Sequence, residues 1–444
     1  MPGPTETLAR FVAETPIGSV PEDVKKSALT AVIDGIAVTL GGYREMGEKI
    51  TSFVKQLGGN PTATVMGSGF RTNAPLAAFA NGSLAHALDY DDLNESMGGH
   101  PTAPVLPAAL AMGESVHATG ACVFNAYILG VEAETKLGGA LIKSLYTSGW
   151  HPTSVLGAIG AAAACSRILG LDADKTRTAL GIAGSFACGV KQNFGTSVKP
   201  LHIGQAAKTG VTAAMLAQSG WTSAPDILEG DAGFSNLFAG RNTYNLESMI
   251  QSLGNPWEFT SPGIKQKKYP CCGSTHSAVE AMLGIVHKTR VPHENVKRIE
   301  CRVHPRKKHV LVHPRPKTGL EAKFSLEYCI AAALVHSEVR LDCFTDKAAS
   351  DPVVKKLLPR IEIITDDALP EWAGRIRIET NDGNIHAGNC DELPGISKRR
   401  DLSAKFHDCS DYLIGLKRSE KAMDLLYAIE HIEDISDLTR MLSL

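Results

Sequence analysis

Residues 21–42, PEDVKKSALTAVIDGIAVTLGG, decide how the chain is read. Val24, Ala28, Val32, Ile36 and Leu40 recur every four residues behind a Pro-Glu-Asp opening. A proline and acids at the start followed by an apolar stripe at that period mark an amphipathic helix, which Gly41-Gly42 are expected to stop. Working outward, comparable runs lie at about 73–90, 101–118, 121–145, 153–168, 175–190, 203–219 and 244–253. Short Gly, Pro or Asp punctuation separates them, not strand signals. The first 260 or so residues therefore read as all-helical. Segments such as Gly157-Ala-Ile-Gly-Ala-Ala-Ala-Ala164 are dense in Gly and Ala; intrinsic propensity would not favour the glycines, so close approach of helix axes is the expected reason for the small residues.

Near Ser261 the period changes. Arg298-Ile-Glu-Cys-Arg-Val303 and Arg375-Ile-Arg-Ile-Glu-Thr380 alternate apolar with charged residues, and the second runs into Asn381-Asp-Gly383, a tight-turn signal. With helices at about 273–288, 321–336 and 344–358 between these strands, the region reads as a smaller α+β domain. After Lys398 the helical period returns through Leu413, Met423, Leu426 and Ile429. The expected organisation is a mainly α protein: a helical domain over 1–262, an α+β lid domain over 263–397, and a helical tail over 398–444 returning to the first domain.

Bulk composition narrows the function classes. Lys plus Arg number 45 against 47 Asp plus Glu, a formal net charge of −2, so no global field draws nucleic acid or anionic membrane. The start, Met1-Pro-Gly-Pro-Thr-Glu6, lacks the basic and then apolar pattern of an export signal. The most apolar segments, such as Ser154 to Cys165, fall well short of the roughly 20 residues that span a bilayer. A cytoplasmic location is the expectation. The ten cysteines show no CxxC pair or regular spacing and read as mostly reduced and buried. There is no GxxxxGK[ST], and no GxGxxG between a strand and a helix, so nucleotide cofactors are not indicated.

Four segments hold polar residues that a helical core would not ordinarily choose. His86-Ala-Leu-Asp-Tyr-Asp-Asp92, followed by Gly98-Gly-His100-Pro, brings Asp89 and His100 close in sequence, as general acid–base work requires. Helix capping and a solvated acidic loop would look the same. Gly149-Trp-His151-Pro opens a small-residue helix, where backbone N–H groups favour an anion, although a lone histidine is more often structural. Lys199-Pro-Leu-His202 precedes another such run, and a lysine there is costly to bury without an anionic partner such as a substrate carboxylate. A Lys stem lying on the surface with its ammonium in water is the plain alternative.

The fourth segment is Lys267-Lys268-Tyr-Pro-Cys-Cys-Gly-Ser-Thr-His276, at the apparent domain junction, where lysines, hydroxyls and His276 could grip carboxylates. The adjacent cysteines lack the spacing of a zinc site and no second pair lies near. The basic stretch Arg306-Lys-Lys-His309, with His313, Arg315 and Lys317, reads as a solvated loop that would add positive potential only if it faced the site.

In order, these four segments and Glu321-Ala-Lys-Phe-Ser-Leu-Glu-Tyr328 resemble the MmgE/PrpD family over essentially the whole chain. The resemblance implies a large helical domain, a smaller α+β lid, a homodimer, and no metal or organic cofactor. It also implies a small di- or tricarboxylate as substrate, with decarboxylases, dehydratases and an epimerase among the family's members. Carried over by position, it assigns catalytic roles to Asp89, His100, His151, Lys199 and Tyr328 and places His276 beside them; Lys268 and His202, from the segments read above, are the further expected substrate contacts. One departure stands out: Leu93 follows the Asp-Asp pair where the family's dehydratases and decarboxylases commonly carry Thr. A lyase is the first expectation. An epimerase of the iminodisuccinate type is the second, which Leu93 favours, and a silent carboxylate-binding protein is the third. The retained set of titratable groups argues against the third.

Overall fold

The computed structural model describes residues 2–444, and the side chains of residues 142, 143 and 309 lie outside the description, His309 of the basic stretch among them. The chain divides into two compact units, one running to Gln266 and resuming at Ser397–Leu444, the other Lys267–Ile396. No helix among the described residues is long and apolar enough to cross a membrane.

The first unit is a stack of helices. In chain order they are α1 (Pro4–Glu14), α2 (Glu22–Leu57), α3 (Ala74–Ala87), α4 (Thr102–Ser115), α5 (Gly120–Thr147), α6 (Pro152–Ile168), α7 (Ala173–Phe186), α8 (Val198–Gln218), α9 (Phe234–Ala239) and α10 (Leu246–Ser252). The starts are set by side chains that the sequence supplies. Asn73 accepts from the Leu76 N–H at 3.0 Å, Thr119 from Cys122 at 3.2 Å and Asp172 from Lys175 at 2.8 Å, each satisfying an amide that a helix start leaves open.

Two expectations for this unit are corrected. Helix α2 does not stop at Gly41-Gly42 but runs through them to Leu57. A Cβ on Gly42 would lie 2.0 Å from the Leu84 carbonyl oxygen of α3, so the glycine is there to let two helices touch, not to end one. The unit is also not purely helical. Strands β1 (Ala63–Val65) and β2 (Phe70–Thr72) form a hairpin, and β3 (Leu93–Asn94) pairs with β4 (Ile264–Lys265). Strands of two or three residues are too short to show alternation.

Helices α3 and α8, which end and begin at the residues of interest, cross at a similar contact. A Cβ on Gly204 would meet Ser83 Oγ at 2.1 Å and the Phe79 carbonyl oxygen at 2.3 Å. Backbone cannot yield as a flexible side chain does, so Gly204→Ala is expected to cost about 1–3 kcal/mol by overpacking. Thermal unfolding followed by circular dichroism checks this, and an unchanged Tm would contradict the close crossing.

The second unit sets helices α11 (Gly273–Thr289), α12 (Gly319–Ala322), α13 (Leu326–His336), α14 (Asp346–Ala349) and α15 (Pro352–Leu357) with strands β5 (Val296–Val303), β6 (Ile361–Thr365), β7 (Gly374–Thr380) and β8 (Ile385–Cys390). The strand order is β6-β5-β7-β8, parallel between β5 and β6 and antiparallel elsewhere. In β7 the apolar residues Ile376 and Ile378 face the core and the charged ones alternate outward, as the period-two pattern requires.

The expected single helices over 321–336 and 344–358 are each broken in two. Ser325 caps α13 by accepting from Tyr328 N–H at 3.1 Å, and Asp351-Pro352 starts α15. The basic stretch is not a wholly solvated loop either. Lys307 is buried and donates to Ser277 Oγ at 2.7 Å and the Ala373 carbonyl at 3.0 Å, and burial lowers its ammonium to about 8. The cysteines are all free and mostly buried, with Cys188 exposed.

After the second unit the chain rejoins the first through α16 (Arg399–Ile414), α17 (Leu416–Tyr427) and α18 (Ser436–Met441). Helix α16 packs on α2 and carries the buried Lys405, whose ammonium lies 2.6 Å from Asp34 and donates to the Tyr90 carbonyl at 2.8 Å. The tail thereby pins the loop that follows α3.

Candidate active site

Within the first unit, four places far apart in sequence converge on one buried polar cluster. Helix α3 delivers His86 in its last turn, and the chain then leaves it through Asp89, whose φ of 52° lies in the left-handed region. That conformation is disfavoured for a side-chain-bearing residue, and Asp is among the few that tolerate it. Its side chain is paired: Asp89 Oδ1 lies 2.6 Å from Lys199 Nζ, reached from the first turn of α8. Both side chains are buried. The pair answers the question left open by Lys199: its ammonium is inside, and its partner is a carboxylate of the chain.

The loop after Asp89 is tied down at both ends. Leu93 pairs with Lys265 across β3 and β4, the Asn94 N–H donates to the Gly99 carbonyl at 3.0 Å, and Asn94 Nδ2 donates to Glu258 at 3.0 Å. This holds His100, whose own N–H donates to Thr153 Oγ1 at 3.2 Å and whose ring Nδ1 sits 2.7 Å from the Asp92 carbonyl. A carbonyl only accepts, so Nδ1 carries the hydrogen and Nε2 the lone pair.

His151 occupies the cap position before α6, without a cap bond from its own side chain. Its Nδ1 is 3.2 Å from Nδ1 of His202, so one ring donates and the other accepts. Phe194 lies against both His151, with ring centroids 4.8 Å apart, and Lys199, whose ammonium is 5.1 Å from the ring centre.

His86 belongs to the cluster and was not among the residues assigned from sequence. Its ring is 4.7 Å from that of His100 and 5.6 Å from that of His151, and its Nδ1 lies 2.7 Å from Asp91 Oδ2. No spacing singles it out, because Asp89 lies beyond the helix end in a left-handed conformation and the three-residue helical neighbour rule does not join the two.

Burial dominates the electrostatics. Loss of water, followed by the neighbouring imidazoles and the Lys199 ammonium, holds His151 well below the usual histidine range; burial likewise lowers His86 and His202. These three rings are neutral at neutral pH, so the fixed positive charge of the cluster is Lys199, not a protonated His151. Beneath them, burial pushes Asp92 up to about 8, even though Thr102 donates to it. An acid whose folded value lies above its ordinary one stabilises the fold at low pH and loses that contribution as pH rises through about 8. Asp92→Asn is therefore expected to flatten the fall in stability between about pH 4 and 8, the interval between the ordinary and the raised value, where each pH unit is worth up to about 1.4 kcal/mol. A Tm–pH curve parallel to that of the native chain would contradict it.

His86, Asp89 and His100 each offer a ligand atom within 4.8 Å of the others, the one such group found among the described residues. The Asp89 oxygen is already matched to the Lys199 ammonium at 2.6 Å, so a metal there would have to displace a resident cation. The donor set fits Lys199 better than a metal ion.

The other assigned residues lie in the second unit. The Tyr328 hydroxyl is buried and donates to the Cys343 carbonyl at 2.6 Å. His276 is buried, with Nε2 3.2 Å from the Cys271 carbonyl and its ring 5.2 Å from that of Tyr269. Lys268 reaches both carboxylate oxygens of Glu280 at 2.9 Å.

Comparison with known proteins agrees with this architecture. Residues 6–247 match the MmgE/PrpD N-terminal domain and residues 269–428 the MmgE/PrpD C-terminal domain, and the chain belongs to that family. Among its relatives, the cis-aconitate decarboxylase of Homo sapiens is 29% identical over 99% of this chain and 94% of the relative. That of Mus musculus is 28% identical over 99% and 93%, and that of Aspergillus terreus 27% over 99% and 96%.

Proposed function

We propose that the chain is a lyase that acts on a small di- or tricarboxylate by moving a proton at a carbon next to a carboxylate, with decarboxylation of a cis-aconitate-like acid as the leading reaction. The observation that carries this reading is the buried Lys199–Asp89 pair set among neutral imidazoles. Losing CO₂ or an α-proton leaves negative charge spread from carbon into the adjoining carboxylate. Fixed positive charge in a site shielded from water stabilises that charge, and a nearby base or acid moves the proton. Lys199 supplies the charge, and Asp89 holds the ammonium in place. His100, with Nε2 carrying its lone pair, and His151, kept neutral by burial, are the groups that exchange a proton with carbon. His202 orients His151 through the Nδ1 contact. No cofactor is needed for such chemistry.

The family relatives named for cis-aconitate decarboxylation support a carboxylate substrate. Tyr328, His276 and Lys268 enter the reading through family resemblance, and Tyr328→Phe tests the first of them. The epimerase reading rests on Leu93, which removes a hydroxyl donor that the family's lyases commonly have. Incubation with cis-aconitate, 2-methylcitrate, citrate and iminodisuccinate, with trapping of CO₂ and mass analysis of products, separates the two. Loss of CO₂ or water from a tricarboxylate supports the lyase, whereas inversion of iminodisuccinate with no change of mass favours the epimerase. Tight binding without turnover of any of the four would make the chain a silent carboxylate-binding protein.

A further inference from the structure

One carboxylate in the cluster has no part in the reading above. Asp91 is buried, and a single oxygen of it, Oδ2, lies 2.7 Å from His86 Nδ1 and 3.4 Å from His100 Nδ1. The His86 ring is neutral, so its Nδ1–H donates to that oxygen; its Nε2 is buried and meets no hydrogen-bond partner among the described residues. His86 thus grips Asp91 from one side, and the remaining face of the same oxygen is turned to His100. His100 Nδ1 already donates to the Asp92 carbonyl, which is enough to fix the tautomer. A carbonyl dipole does little, however, for the full positive charge that appears when Nε2 takes up a proton. A carboxylate at 3.4 Å does, and in a buried setting its effect is weakly screened.

We propose that Asp91, held by His86, is the positioning residue for His100: it supports the ring from behind and stabilises the imidazolium that forms during turnover. One oxygen of Asp91 stands between the two rings, 2.7 Å from His86 Nδ1 and 3.4 Å from His100 Nδ1. The groups facing His100 from the surrounding elements are His86 and Asp91 at the end of α3, Asp92 in the loop, His151 at the start of α6, and the Lys199–Asp89 pair. Two carboxylates come near the His100 ring: Asp91 Oδ2 lies 3.4 Å from Nδ1, and an Asp89 oxygen comes within 4.8 Å of a ring nitrogen but belongs to a carboxylate paired with Lys199.

The inference rests on His100 exchanging the proton, and a double-mutant cycle keeps the two claims apart. With the full chain and the acid found to be turned over, Asp91→Asn is expected to lower kcat about a hundredfold while KM stays within about threefold. In a His100→Ala background the same change is expected to cost almost nothing, because a group that acts through His100 has nothing left to act on. His86→Asn, whose amide nitrogen falls near the position of ring Nδ1, should retain most of the activity that His86→Phe loses, and this pair carries the test if Asp91→Asn does not fold.

Additive losses in the cycle, or a rise in KM matching the fall in kcat, would overturn the role of Asp91. Equal activity of His86→Asn and His86→Phe would do the same. A fully active His100→Ala enzyme would instead remove the reading on which the inference stands.

Discussion

Lys199→Met and Asp89→Asn, made singly, are each expected to abolish measurable turnover and to destabilise the first unit by about 3–5 kcal/mol, whereas the double variant recovers most of the stability and none of the activity. Both side chains are enclosed and their charged atoms are 2.6 Å apart, so removing one leaves the other as a charge without its partner in a poor solvent. Replacing both by neutral groups of similar size removes that penalty. Activity has no such compensation on the proposed function, in which the ammonium is the fixed positive charge that stabilises the developing carbanion. Urea unfolding of the four proteins and their kcat values check the prediction together. A double variant as unstable as either single one would show that the pair is not the coupled unit the geometry describes.

His100→Ala and His151→Ala are each expected to reduce turnover at least about a hundredfold, the usual scale for a group that moves a proton in the transition state. The two should differ in structure and agree in consequence. His100 is held by the Asp92 carbonyl and Thr153 on a loop, so its loss leaves α6 intact. His151 packs against His202, Phe194 and His86, so its loss also opens space in the cluster. Steady-state kinetics on the acid turned over, with circular dichroism to show that the fold persists, decides the matter. Near-normal turnover in both variants would refute the assignment.

Much of the helical architecture was legible because apolar residues at a spacing of four are hard to produce any other way. Where the reading failed, a tertiary contact had overridden a local signal. Gly41-Gly42 look like a stop in isolation, and only the Leu84 carbonyl of α3 explains why a helix uses them in its middle. Ser325 and Asp351-Pro352 broke two helices that hydrophobic periodicity alone had joined. The short strand β3 left no trace in composition, yet it is what fixes the loop bearing His100.

For the site, sequence drew attention to Asp89, His100, His151, Lys199 and His202 as scattered polar residues beside small-residue helices, and they meet in one cluster of the first unit. Sequence could not reveal which carboxylate answers Lys199, that His86 and Asp91 stand within the same group, or that burial keeps His151 neutral. Those are properties of packing, and no spacing encodes them. The left-handed φ of Asp89 is of the same kind, and so is its contact with Lys199, which joins residues 110 positions apart.

On the proposed function, this cluster moves a proton at a carbon beside a carboxylate. An NMR experiment in D₂O with cis-aconitate, 2-methylcitrate, citrate and iminodisuccinate tests it most directly, run with the native chain and with Lys199→Met. One solvent deuterium on the reacting carbon of the product from at least one of these acids, absent in the variant, is the predicted result. Native protein that leaves all four acids unchanged and free of deuterium, or a Lys199→Met chain that labels them as fast as the native one, would contradict the account.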